Sequence, residues 1–211
     1  VLADTKAAEL LKAGVEQIVF DVDFSSYSNQ DQDLALASEI SKAEGKVVLA
    51  TFRQPQSTGE AEADLENLPI PILRKEAFLG SVNVRPDADG QVNAYPFGTV
   101  TDSTPRPSLG ALLADASGPV NEEFKIDQSI DIESIPRHSF IDILEGQVDP
   151  RELKGKKVII GATAIEIGDR YATARFGVIP GVVVQAMAAE TLIAGTVLPE
   201  LGPWPTLVLT L

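Results

Sequence analysis

A chain of 211 residues with 44% hydrophobic and 23% charged positions holds enough apolar material for one substantial core, which excludes a disordered polymer. Seventeen basic against thirty-one acidic residues leave a net charge of −14. A surface of that sign repels nucleic acid and anionic headgroups, which are bound through clustered Lys and Arg. The absence of cysteine excludes a disulfide scaffold and leaves the redox compartment, cytosol or periplasm, open.

The elements follow from periodicity. Residues 4–13 begin with Asp4 as a cap and place Ala7, Leu10 and Leu11 on one face, with Gly14 as the stop, which predicts a helix. QIVFDVDF (17–24) is a continuous apolar run rich in β-branched residues, as expected of a buried strand. Residues 31–44 form a second amphipathic helix through Leu34, Ala37 and Ile40, ended by Gly45, and KVVLATF (46–52) is another buried strand. This strand–helix–strand order predicts parallel pairing with a right-handed crossover. Residues 53–74, with Pro55, Gly59, Pro69, Pro71 and an acidic patch from Glu60 to Glu66, are expected to be loop. GSVNV (80–84) and QVNAYPF (91–97) flank RPDADG and predict a hairpin. Helices are expected over 107–117 and 138–146, a strand over GKKVIIGAT (155–163), and a long helix over 180–195 with Pro in its first turn and Gly at its end. The fold expected is a single α/β domain with a largely parallel central sheet flanked by helices, plus a β-hairpin near residues 80–97.

Chemistry is carried by few residues. Asp21 and Asp23 stand two apart in a strand, so both carboxylates are expected on one side near its carboxyl end, where ligands of open α/β sheets bind. Such a pair could hold Mg²⁺ or Ca²⁺, with Asp169 as the third ligand. FDVDFS resembles the Asp-x-Asp motif of haloacid-dehalogenase-type phosphotransferases, with Thr51 and Gly168-Asp169 standing for the later motifs, although ATAIEI separates the strand from Gly168. That resemblance implies, as the alternative, a Mg²⁺-dependent phosphatase using Asp21 and Asp23. The competing expectation is that the aspartates cap turns. Asp87-Ala88-Asp89-Gly90 lacks the ligand spacing of a calcium loop and predicts a tight turn. His138 is the only histidine, which leaves no zinc site, and the glycines near 155–168 match no nucleotide fingerprint. No cofactor is expected. After the strand ending at Gly161 come Asp169, Arg170 and Arg175, either lining a pocket or forming a solvated loop with a local ion pair. The candidate ligand-binding residues are therefore Asp21, Asp23, Gly161, Asp169 and Arg170.

Four segments in order resemble the second type of CHASE domain (cyclases/histidine kinases associated sensory extracellular) over roughly residues 4–198. They are AGVEQIVFDVDF with DLALASEI; GSVNVRPDADGQVNAYP; SFIDILEG; and LKGKKVIIGATAIEIGDRYATA followed by PGVVVQAMAAETLIAG. The sequence departs from the family at Thr173-Ala174, where Thr-Pro is frequent, and at Gln185-Ala186, where His-Ala is found. By the resemblance, the family's first strand and the membrane helix before it are expected to be lacking from these 211 residues. The resemblance implies a sensor domain over 1–198 on the periplasmic face of the inner membrane. Residues 199–211 are then a linker and, with PWPTLVLTL (203–211), the start of a transmembrane helix. It further implies a tether to the membrane and a cytoplasmic output domain in the full-length protein: a diguanylate cyclase or phosphodiesterase acting on cyclic di-GMP, a nucleotide cyclase, or a histidine kinase. The chain itself would not be an enzyme. An unidentified small-molecule or physical signal would reorient the helix Val182–Ala194. Because such outputs work in pairs, a homodimer is expected, with no nucleic-acid partner.

Overall fold

The computed structural model describes residues 2–58, 61–165 and 168–197. Helix α1 (Leu2–Ala13) ends at Gly14, whose φ of +80° lets the chain reverse into β1 (Gln17–Asp21). Helix α2 (Gln30–Lys42) starts where the Asn29 side chain accepts the Asp31 N–H, and it leads to β2 (Val47–Thr58). β1 and β2 pair in parallel from Ile18–Val47 to Phe20–Leu49. β2 then outruns the sheet and pairs antiparallel with β3 (Ala61–Asn67). A short α3 (Pro71–Arg74) precedes β4 (Phe78–Ser81), which joins the other side of β2 in parallel.

The middle of the chain builds small pieces on one face. β5 (Ala94–Pro96) comes first, then the hairpin β6 (Gly98–Thr101) and β7 (Thr104–Pro107). Helix α4 (Leu109–Leu113) and β8 (Glu123–Lys125) follow, and β8 pairs with β5. After α5 (Phe140–Leu144) and α6 (Pro150–Leu153), β9 (Lys157–Gly161) returns to the sheet beside β1, in parallel. The hairpin β10 (Arg170–Thr173) and β11 (Gly177–Pro180) then feeds α7 (Gly181–Ala194).

Alternation along the strands decides the layers. Ile18, Phe20, Val47 and Leu49 face α1 and α2 in one core that includes Leu10, Ile40 and Leu73. Val19, Val48 and Ala50 face the other way, against Leu109, Leu113 and Ala189 of α4 and α7. A third cluster packs Val182, Val183, Val184 and Met187 of α7 on Tyr95, Phe124 and Val92. The result is the expected α/β domain: four parallel strands in the order β4-β2-β1-β9, with helices on both faces.

Three sequence expectations are corrected. Residues 53–74 are not loop throughout: two stretches of them form the β2–β3 ribbon. The first stretch, RQPQST (53–58), carries no run of alternating apolar residues, and an antiparallel ribbon satisfies its backbone from its partner strand whatever its side chains, so the pattern left no mark to read there. In 80–97 the turn is present, with Gly90 N–H donating to the Asp87 carbonyl at 2.8 Å and Asp87 N–H to the Gln91 carbonyl at 2.7 Å. The runs on either side of it do not pair with each other, because β4 joins β2 and β5 joins β8. The helix expected over 107–117 is only Leu109–Leu113, since Pro107 closes β7 and Ser108 is the cap. Residues 199–211 lie outside the described residues.

Candidate functional site

The chain leaves β1 toward α2 on one face of the sheet and leaves β9 toward α7 on the other. Between the carboxyl ends of these two neighbours lies the switch point where open α/β sheets hold ligands. The two residues at that point, Asp21 and Gly161, are register partners. Here the start of α7 sits on the strands. A Cβ on Gly161 would lie 2.5 Å from Val182 Cβ and 3.3 Å from Asp21 Cβ, so only glycine lets the helix come this close. A Cβ on Gly181 would land on the Asp169 carboxylate, and the Gly181 N–H donates to the Asp169 carbonyl at 3.0 Å. Two glycines thus bring Asp21, Asp169 and the first turn of α7 together.

The electrostatics of this corner are one-sided. Asp21 Oδ2 is buried and has no hydrogen-bond partner. Burial, and then the nearby charge of Asp169, push the Asp21 carboxyl from its ordinary 3.8 up to about 7. Burial also raises Asp169, which keeps one side in solvent. Tyr171 is pushed up to about 12 by burial first and then by Asp169 and Asp21. Tyr95 is raised too, chiefly by burial, with Asp21 adding to it. The positive end of α7 works the other way. A helix terminus contributes about 0.3–1 kcal/mol, less than one pH unit at ~1.4 kcal/mol per unit, so burial and like charge win at Asp21.

One turn further along α7 the polar chemistry is complete. The Tyr95 hydroxyl donates to Gln185 Oε1 and accepts the Gly110 N–H at 3.2 Å, while Gln185 Nε2 donates to the Val82 carbonyl at 3.2 Å. Toward the end of the helix, Thr191 Oγ1 accepts the Asp127 N–H at 3.0 Å and donates to the Met187 carbonyl at 2.8 Å. All three side chains are buried. With nine of its fourteen residues buried, α7 is a core helix rather than a surface one.

The other candidates lie apart. β1 ends at Asp21, so Asp23 falls beyond the strand; it is exposed, and its carboxylate accepts the Ser25 N–H at 2.8 Å. The expectation of two carboxylates on one side is corrected accordingly, and the trio Asp21, Asp23 and Asp169 is not assembled. Among the described residues no group of three acidic or His side chains is placed to hold a metal ion. Thr51 is fully buried and donates to the Gly80 carbonyl at 3.2 Å. Arg170 donates to the Val178 carbonyl and Arg175 to the Gln128 carbonyl, both at 2.8 Å, and among the described residues no ion pair joins either to Asp169. Asp89 closes its turn by accepting the Gln91 N–H, and His138 Nε2 lies 3.7 Å from Glu152. An open groove lined by Tyr27, Ser28, Asp33, Leu34 and Ile72 lies at the start of α2. Tyr95 and Tyr171 were not singled out from the sequence. The available signal was Gln185, a lone amide in the apolar run VVVQAM, which a core helix keeps only with partners.

An α/β domain whose switch point is occupied by its own helix and a carboxylate pair is matched by one family model. The CHASE2 domain model covers residues 4–211. The chain belongs to the CHASE2 family, which is an extracellular sensory domain family. No curated protein and no solved structure matches the chain. Among the described residues no helix is long and apolar enough to cross a membrane.

Proposed function

We propose that this chain receives the signal for a bacterial membrane-bound signalling protein, on the extracytoplasmic face of the inner membrane. A ligand- or stress-dependent change in the docking of α7 passes to a cytoplasmic output domain, such as a diguanylate cyclase or phosphodiesterase, a nucleotide cyclase or a kinase. The observation that supports this reading is the placement of α7. It touches the switch point at its start and the Tyr95–Gln185 pair in its middle, and it is the last described element before the chain continues beyond residue 197. A two-state helix so placed would convert a small change at the sheet edge into a displacement of whatever follows it.

The test is made in the full-length protein in membranes. Tyr95→Phe removes the hydroxyl between Gln185 and Gly110 without removing the ring, so the fold is expected to persist while α7 loosens. Output activity is expected to change severalfold, with faster hydrogen exchange confined to α7 and α4. Faster exchange in α7 with unchanged output would rule the helix out as the transmitting element.

A further inference from the structure

We propose that Asp21 and Asp169 form a proton-operated latch on the start of α7: with a proton on the pair the helix is held to the sheet edge, and with both carboxylates ionised their repulsion loosens it. The latch names a regulation of the proposed sensor and rests on that reading for its consequence, but not for its existence.

The geometry carries it. Asp21 Oδ2 is buried with neither donor nor cation against it. A carboxylate oxygen in that position is accommodated by carrying a proton, because an unpaired buried charge is the costlier state. The Asp169 carboxylate occupies the space that a Cβ of Gly181 would need, so it presses on the first residue of α7. Val182, the next residue of the helix, and Asp21 both crowd the place where a Cβ on Gly161 would stand, at 2.5 and 3.3 Å.

The groups facing the pair add no compensating charge. Tyr171 on β10 and Tyr95 on β5 are both held in the neutral form. β9 offers Gly161 and α7 offers Gly181 and Val182, none of which titrates. Arg170, beside Asp169 in sequence, is spent on the Val178 carbonyl. Among the described residues no ion pair or side-chain hydrogen bond reaches either carboxylate.

The sign follows from linkage. A carboxyl raised to about 7 in the folded chain keeps a proton that the unfolded chain loses near 3.8. Its contribution is fully present below 3.8 and is lost as pH rises to about 7. Within that window the unfolding constant rises by up to about tenfold per pH unit from this group alone.

The experiment uses the 211-residue chain at pH 5, 6, 7 and 8, with thermal melts and hydrogen exchange resolved to the first turns of α7. The wild type is expected to melt lower and exchange faster at this helix start as pH rises. Asp21→Asn is expected to flatten both profiles and to melt above the wild type at pH 8. Asp169→Asn keeps Asp21 but removes its neighbour's charge, and is expected to move the midpoint of the profile to lower pH. Carboxyl carbon NMR of Asp21 reads the same titration without a substitution. A wild-type helix start with no pH response between 5 and 8, or an Asp21→Asn chain with an undiminished one, overturns the latch. Output from the full-length protein separates the two readings: a responsive α7 with pH-independent output leaves the latch standing and breaks the transmission proposal.

Discussion

Two of the polar sites along α7 are built on opposite terms. In the middle of the helix, Tyr95 and Gln185 are buried and every group they bring inside has a partner, including the Gly110 N–H and the Val82 carbonyl. At its start, Asp21 brings in an oxygen with no partner and faces a second carboxylate. A fully satisfied network fixes position, and a half-satisfied one stores a preference for a different state. The same helix is therefore fixed at one point and conditional at another, about one turn away. A sensory element needs both, because a helix loose everywhere transmits nothing and a helix fixed everywhere cannot respond.

The comparison can be broken by substitution. Gln185→Ala has the largest expected effect: it removes a buried side chain, leaves the Tyr95 hydroxyl without its acceptor and takes the Gln185 donor from the Val82 carbonyl. About 3 kcal/mol is expected, read as a fall in Tm of roughly 6–12 °C, with no dependence on pH between 5 and 8. Gly161→Ala comes next. Its new methyl meets Val182 at a distance no real Cβ tolerates, so α7 must lift at the conditional end. Overpacking of this kind costs about 1–3 kcal/mol, and differential scanning calorimetry should place the variant between the wild type and Gln185→Ala. Asp23→Ala is expected to be the mildest. The Asp23 carboxylate, beyond the end of β1, only organises an exposed turn through Ser25, so the loss should stay within about 1 kcal/mol, and the pH profile of α7 should be unchanged. A pH profile altered by Asp23→Ala would mean that the two aspartates act together after all.

Much of this was legible in the residues. The strands QIVFD and KVVLAT and the helix GVVVQAMAAETLIA announce themselves by continuous apolar runs, because central parallel strands and a core helix are buried on all sides. Strand β9 is half-buried along its length although VIIG suggests a central position, since it lies at the end of the sheet path. The turn at Asp87–Gly90 was legible and its partners were not: a tight turn states that the chain reverses, whereas pairing depends on which edges are free in three dimensions. The same limit separates Asp21 from Asp23. Spacing of two places both on one side only while the strand lasts, and β1 stops at Asp21. Asp169 was legible as a polar residue after the best strand, but its meeting with Asp21 is a long-range fact set by the two glycines under α7.

The far end of α7 has a consequence of its own. Gly195 adopts a left-handed conformation, with φ of 65°, and its N–H returns to the Leu192 carbonyl while Thr196 N–H returns to Thr191. The helix is thus stopped by a joint inside the domain instead of running on as a continuous rod. On the proposed reading, a signal that leaves the domain through α7 therefore crosses a left-handed turn closed by two backbone hydrogen bonds, and not an unbroken helix.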